Sequence, residues 1–166
     1  MKKRGPILGI DPGLDGGLGI LTPDGQVVAQ GRMPVLPGER REIDLLSLVE
    51  ILRFWRPEFA VLELVHAMPK QGVRSMFSFG RSTGQVEGVL VALGIPFERV
   101  TPQRWKGAVL NGTARDKSAA IAYVRRRWPD AELMGSARCR VPHDGIAEAL
   151  CLAEFGRRLL AAAASK

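Results

Sequence analysis

The chain has 166 residues and a formal net charge of +7, from 24 Lys and Arg against 17 Asp and Glu. This length favours a single domain over residues 1–166, and the two cysteines exclude a disulfide scaffold or an all-cysteine zinc site. No apolar run reaches the roughly 18 residues of a membrane span and no signal peptide is recognisable, so we expect a cytoplasmic protein that attracts an acidic partner, nucleic acid first.

The predicted elements alternate between strands and helices after an initial run of strands. The Pro23-Asp24-Gly25 turn predicts a hairpin between the second and third strands, and Thr101 followed by Pro102 predicts a helix start. This order predicts an α/β fold, a five-stranded mixed sheet with helices on both faces. The strands are predicted at 5–11, 17–22, 26–32, 59–64 and 95–100, and the helices at 43–56, 73–93, from 101 onward, at 115–128 and at 143–162.

Arginine dominates the positive charge, since 18 of the 24 cations are arginines. Its planar guanidinium pairs with phosphate through two hydrogen bonds. This favours a nucleic-acid partner over positive charge that serves only to keep the protein soluble. The alternative interpretation is that the arginines reflect an arginine-rich genome composition and not a nucleic-acid partner. The cations are spread over several patches of the chain, which fits a folded basic surface better than a basic tail.

Two acids stand at strand ends. Asp11 ends the first predicted strand, and Glu63 lies near the end of the fourth among Val61, Leu62 and Leu64. An ionised carboxylate in an apolar strand is costly unless it is paired, hydrogen-bonded or bound to a metal. On neighbouring strands, the two acids would converge at one edge of the sheet.

Two further acids, Asp144 and Glu148, are spaced i, i+4 and therefore share one face of the last predicted helix. If that helix packs beside Asp11 and Glu63, four carboxylates meet and need a compensating cation. Oxygen ligands select Mg²⁺ or Mn²⁺, and a pair of such ions is a known catalyst of phosphodiester hydrolysis.

Each acid also has a structural interpretation. Asp11 could serve only the turn that follows it, and Glu63 could pair with an arginine. Asp144 could cap the last helix or favour its dipole, and Glu148 could be a surface residue. We interpret His143 as a residue at the start of the last predicted helix.

Three motifs resemble the RuvC-type Holliday junction resolvases, above all their phage and prophage members. They are Gly9-Ile10-Asp11-Pro12-Gly13, Val61-Leu62-Glu63, and His143-Asp144-Gly145-Ile146-Ala147-Glu148-Ala149-Leu150. The segments around His66–Gly72, Ser75–Phe77, Gly84-Gln85 and Thr101–Lys106 are also similar to phage members. The resemblance covers about residues 7–155 and implies an RNase H-like fold.

The resemblance implies a Mg²⁺-dependent homodimeric endodeoxyribonuclease that nicks two symmetry-related strands of a four-way junction. Asp11, Glu63, Asp144 and Glu148 would be its catalytic acids and would bind two Mg²⁺, or Mn²⁺, per site. Many members carry two acids, or a His and an Asp, three residues apart on the last helix, whereas here the two acids are four residues apart and the last is Glu. Which of Asp144 and Glu148 contacts metal, and whether His143 assists, therefore stays open, as does a branch-migration helicase partner.

Candidate DNA contacts lie mainly in segment 65–81, where cations alternate with aromatic residues, a pattern that suits phosphates and unpaired bases. Lys117 resembles a family position beside the scissile phosphate, and we expect it to stabilise charge in the transition state. The candidate DNA-binding residues are Lys70, Gln71, Arg74, Phe77, Arg81, Arg104, Lys106 and Arg115.

Glycines recur every four residues at Gly80, Gly84 and Gly88 in a predicted helix. Each lowers helix stability by about 0.8–1 kcal/mol relative to Ala, so a stripe of three predicts a close backbone approach. The approach could be to the sheet or to a second subunit. A two-fold dimer would supply the two sites that paired nicks require, which favours the dimer.

Three other functions were weighed against a junction-resolving nuclease. A non-catalytic junction-binding protein would not need four acids. A related RNase H-like nuclease could act on other branched DNA, single strands or RNA–DNA hybrids. An actin-like ATPase would need two such domains, and 166 residues hold one. The expected setting is a bacterial cell or a phage-infected host.

Overall fold

The computed structural model describes residues 4–39, 41–64, 72–112 and 117–165. Five strands and five helices follow one another in the predicted order. The strands are β1 (Ile7–Asp11), β2 (Gly17–Leu21), β3 (Val27–Arg32), β4 (Phe59–Glu63) and β5 (Phe97–Val100). The helices are α1 (Leu45–Trp55), α2 (Val73–Ala92), α3 (Pro102–Val109), α4 (Lys117–Arg127) and α5 (Asp144–Ala164).

The strands form one mixed sheet in the order β3-β2-β1-β4-β5. β1 pairs with β2, and β2 with β3, in antiparallel fashion, whereas β1–β4 and β4–β5 are parallel. The hairpin turn predicted at Pro23-Asp24-Gly25 is present, with Gly25 at φ 88°. Because a positive φ is costly for residues with a Cβ, glycine suits this position.

Apolar cores form on both faces of the sheet. One core packs α3, α4 and α5 against residues such as Leu21 and Val61. The other packs α1 and α2 against Leu8, Ile10 and Ile20. Successive strand residues point to opposite faces, so the nearly continuous apolar runs of β1 and β2 supply both cores.

Local signals fix the helix starts. The sequence predicts that α1 begins at residue 43, but the helix begins at Leu45. Asp44 is its cap, because the Asp44 side chain accepts a hydrogen bond from the Ser47 N–H. Thr101 caps α3 with Pro102 in its first turn, as predicted. At α5, His143 is the cap and Asp144 is the first helical residue, which excludes Asp144 as the cap. Within the described ranges, no helix is long and apolar enough to cross a membrane.

Candidate active site

Asp11 and Glu63 lie side by side at one edge of the sheet. Ile10 pairs with Leu62 in the parallel β1–β4 register, so the next residues, Asp11 and Glu63, are neighbours. Both strands end at this edge, which is why the two acids predicted at strand ends converge here. Glu63 is buried, with 6% of its surface exposed.

Helix α5 lies directly on this part of the sheet and brings its first turns to the same edge. The close packing depends on glycines in β1 and β2. A Cβ on Gly19 would lie 2.7 Å from the Leu150 nitrogen, and one on Gly9 would collide with the Ala149 carbonyl oxygen. Any larger residue at these two positions would push α5 away from the sheet, so the glycines position Asp144 and Glu148 over β1.

The neighbouring carboxylates act electrostatically on Asp11. The pKa of Asp11 is raised from 3.8 to about 7, chiefly because the group is buried and then because Glu63, Glu148 and Asp144 lie close to it. The Gly13 N–H, 3.4 Å from Asp11 Oδ1, acts in the opposite direction. The contact with Gly13 agrees with the interpretation of Asp11 as a residue of the turn. The turn does not explain why Asp11 is buried beside three other acids.

Its structural interpretation predicts that Glu63 pairs with an arginine, but among the described residues no arginine forms an ion pair with it. Its Oε1 accepts a hydrogen bond of 2.7 Å from the indole Nε1 of the fully buried Trp105. Burial raises the pKa of Glu63, an effect opposed by the Trp105 N–H, reinforced by Glu148 and opposed by Lys106. The β4–β5 register explains this contact, because Val100 is opposite Glu63 and α3 begins two residues later.

Glu148 is not a surface residue, since only 8% of it is exposed. Lys106 Nζ donates a hydrogen bond of 2.8 Å to Glu148 Oε1, and both side chains are largely buried. Lys106 was predicted as a DNA contact, but the structure places its ammonium group among the acids. An ammonium in this position offsets part of their mutual repulsion.

The beginning of α5 suits negative charge. His143 Nδ1 accepts a hydrogen bond of 3.4 Å from the Ile146 N–H, which makes His143 the helix-start residue that the sequence predicted. Asp144 follows in the first turn, where the helix dipole favours a carboxylate. Its charge also contributes to the raised pKa of Asp11.

The donor set fits a hard divalent cation. All four acids offer oxygen ligands, which hard divalent cations prefer. The pKa of Asp11 is raised first by burial and then by the neighbouring acids, whose charge a cation would compensate. Within the described part of the chain, no three His, Cys, Asp or Glu side chains stand in a metal-binding arrangement. Glu63 and Glu148 are instead oriented by Trp105 and Lys106.

The predicted DNA contacts are in different situations. Arg74 is exposed on α2, and Phe77 is 74% exposed. Arg81 pairs with Glu42 through two hydrogen bonds, and Arg104 pairs with Glu98. Lys70, Gln71 and Arg115 lie outside the described residues, and Lys117 begins α4.

The glycine stripe of α2 does not face the sheet. Gly80, Gly84 and Gly88 are exposed, and a Cβ on any of them would meet no atom of the described residues within 4 Å. The sheet alternative is therefore wrong. The apolar residues Val73, Phe77 and Val91 are also exposed on this helix. Phe77 and Val91 lie three residues from the nearest glycine of the stripe, and Val73 lies four residues before Phe77, so all three are on the same side of the helix.

Sequence reasoning missed Trp105 and the pairing of Lys106. The two residues are adjacent on α3, and each is bonded to a site acid 42 positions away. The local signal that could have indicated these contacts was the adjacent Trp105 and Lys106 near the start of α3. This helix follows β5, the strand that pairs with β4.

Comparisons with known proteins report on the fold. No family model and no curated protein matches the chain. Among solved structures, the chain is similar to Thermus thermophilus RuvC in complex with a Holliday junction substrate, with 22% identity and a TM-score of 0.70 over 94% of this chain and 96% of that one.

Two further solved structures are similar at lower identity. The yeast mitochondrial Holliday junction resolvase is 14% identical, with a TM-score of 0.60 over 95% of this chain and 80% of that one. The fowlpox virus resolvase, in complex with Holliday junction DNA, is 14% identical, with a TM-score of 0.54 over 93% and 98%. Five strands in the same mixed sheet, flanked by helices over nearly the whole chain, thus give this protein the RNase H-like fold of RuvC.

Proposed function

We propose that this protein is a metal-dependent endodeoxyribonuclease that resolves four-way DNA junctions by paired symmetric nicks. The observation that carries the proposal is a group of four neighbouring carboxylates, formed by Asp11 and Glu63 at the ends of β1 and β4 and by Asp144 and Glu148 in the first turns of α5. A protein that only bound DNA would gain nothing from acids that repel phosphate. The resolvase fold of the neighbouring structures supports the junction as the substrate.

Asp11, Glu63, Asp144 and Glu148 are the residues that would hold Mg²⁺ or Mn²⁺, two ions per site. Divalent ions there would activate water for attack on the phosphodiester and stabilise the leaving oxygen. Of the chain's own groups, Lys106 holds Glu148 in place through its hydrogen bond and adds positive charge beside the acids. Lys117, at the start of α4, is proposed to stabilise the charge that develops in the transition state.

The surface charge supports a DNA partner. Counting the four site acids as neutralised by metal leaves 24 cations against 13 anions, a balance of +11. Arg74 and Phe77 are exposed on α2, so a cation and a ring are available to phosphates and unpaired bases. Lys70, Gln71 and Arg115 remain candidates on sequence grounds alone.

The exposed stripe of α2 is the proposed interface of a homodimer. Small residues allow two helices to approach closely, and the flanking Val73, Phe77 and Val91 would be removed from water. Gly84→Leu should shift the protein toward monomer in multi-angle light scattering, whereas Gly84→Ala, with a similar gain in helix propensity, should perturb the dimer far less. A dimer that persists in Gly84→Leu would place the interface elsewhere.

The function is tested with a synthetic four-way junction labelled on each strand in turn, with and without Mg²⁺. Paired nicks at symmetric positions in two opposed strands are expected only with metal. Linear duplex and an RNA–DNA hybrid are the control substrates, and cleavage of the hybrid alone would establish a different nuclease. Junction binding without cleavage in Mg²⁺ or Mn²⁺ would establish a non-catalytic binding protein.

A further inference from the structure

Helix α3 places two consecutive side chains against two different acids. Trp105 Nε1 donates to Glu63 Oε1 at 2.7 Å, and Lys106 Nζ donates to Glu148 Oε1 at 2.8 Å. The two α3 residues also touch each other, since Lys106 Nζ lies 5.1 Å from the centroid of the Trp105 ring. The short helix thus connects the acid on β4 with the acid on α5.

A buried indole N–H requires an acceptor, but the acceptor need not be a carboxylate. Trp128 shows the ordinary solution in the same chain, because its Nε1 donates to the backbone carbonyl of Gly25 at 2.8 Å. Trp105 is fully buried, and its donor is directed at a buried glutamate. Packing alone explains the burial of the ring but not the choice of acceptor.

The hydrogen bond restricts the orientation of a carboxylate. Glu63 has three rotatable side-chain bonds, and an unrestrained carboxylate would lose this freedom on binding a cation. The contact with Trp105 engages Oε1 and limits that freedom before any cation arrives. Groups that hydrogen-bond to metal ligands typically change metal affinity by about 10- to 100-fold when they are removed.

We propose that Trp105 is a positioning residue, which holds Glu63 through its indole N–H in the orientation that binds the divalent cation. The proposal rests on the proposed function in one respect, that Glu63 is a metal ligand. It does not depend on the identity of the nucleic-acid substrate. Trp105 itself contacts neither the cation nor DNA in this role.

The test compares Trp105→Phe with Trp128→Phe, two changes that remove a buried indole N–H and keep an aromatic ring. Mn²⁺ binding is measured by isothermal titration calorimetry on the whole protein without DNA. We expect Trp105→Phe to weaken Mn²⁺ binding about 10- to 100-fold and Trp128→Phe to leave it unchanged. Thermal unfolding without metal shows whether both variants are folded at the titration temperature.

A second measurement observes the indole directly. The chain has three tryptophans, so the ¹H–¹⁵N spectrum should contain three indole signals, of which Trp105→Phe removes one. That signal should shift when diamagnetic Mg²⁺ is added to the wild-type protein and should not shift in Glu63→Gln. The signal of Trp128 should stay in place throughout.

The outcomes separate this inference from the proposed function. Equal Mn²⁺ affinities for wild type, Trp105→Phe and Trp128→Phe, with a loss in Glu63→Gln, would overturn the positioning role and leave the metal site intact. Wild-type affinity in Glu63→Gln would overturn both the role and the assignment of Glu63. The expected Mn²⁺ results in a protein that cleaves no junction would support the role of Trp105 and contradict the proposed substrate.

Discussion

Helix α5 carries two buried glutamates, and the difference between their surroundings separates a proposed metal ligand from an acid with a structural role. Glu154 is 1% exposed and Glu148 is 8% exposed. Glu154 accepts hydrogen bonds from Arg157 and Arg158, and these partners hold its pKa below the usual range although burial acts to raise it. Its charge is thus balanced on its own helix.

Glu148 is in the opposite situation. Among the described residues, Lys106 is the cation paired with it, and Glu148 acts together with Glu63 and Asp144 to raise the pKa of Asp11. Among the described residues named at this end of α5, four carboxylates stand against the one ammonium group of Lys106. Burial of an acid is therefore no sign of a metal site by itself, and a group of neighbouring acids is the feature that favours a bound cation.

The largest effect should follow Glu148→Gln. Losing one metal ligand should remove several kcal/mol of transition-state stabilisation, about a 1,000-fold loss of cleavage rate, while junction binding is retained. Single-turnover cleavage of the junction in Mg²⁺ and gel-shift binding in EDTA measure the two properties. A variant that cleaves at the wild-type rate would remove Glu148 from the site.

Glu154→Gln is the matched change at the other end of α5. It should leave the cleavage rate of the folded protein nearly unchanged and lower the free energy of unfolding by about 2–3 kcal/mol. Arg158 also donates to the Ala108 carbonyl oxygen and the Tyr123 hydroxyl, so the carboxylate holds a cation that connects α5 with α3 and α4. Urea unfolding measures the loss. An unchanged midpoint would mean that the arginines do not depend on this charge.

A smaller, pH-dependent effect is expected for Asp11→Asn without metal. Because the pKa of Asp11 is raised from 3.8 to about 7, the folded wild type binds its proton more tightly than the unfolded chain between these values. The stability that the protonated carboxyl contributes is present below about pH 4 and is lost as the pH rises to 7. The amide of Asn does not ionise and avoids that loss.

Asp11→Asn should therefore be more stable than wild type by about 2 kcal/mol at pH 8 and nearly equal to it near pH 4. Urea unfolding in EDTA at the two pH values measures the difference. Glu154→Asn or Glu154→Gln should not show this pattern, because the charge of Glu154 is balanced by two arginines. A stability difference that is the same at both pH values would contradict the crowding of charge around Asp11.

The sequence predicted most of the fold because its signals are local. The alternation of apolar runs with turns gave all five strands and their order, and Thr101-Pro102 gave the start of α3. The start of α1 was misplaced by two residues because Ile43 is apolar like the helix face, yet it forms a bridge with Val35. Asp44, as the capping residue, was the better signal.

The candidate site was only partly predictable. The four acids could be selected because a carboxylate at the end of an apolar strand, or an i, i+4 pair on a helix, is unusual in local terms. A stripe of small residues on α2 fits a sheet as well as a second subunit, so the sequence favoured the dimer only because paired nicks require two sites. The open surroundings of these glycines in the structure exclude the sheet.

By itself, the sequence determined the elements, the acids at the strand ends and the basic surface, because periodicity, capping and charge are properties of neighbouring residues. Only the tertiary structure decided which groups the acids contact. Trp105 reaches Glu63 and Lys106 reaches Glu148, in both cases across 42 positions. Such pairs depend on the β4–β5 register and on the close seating of α5 over Gly9 and Gly19, and both are set by packing of the whole sheet.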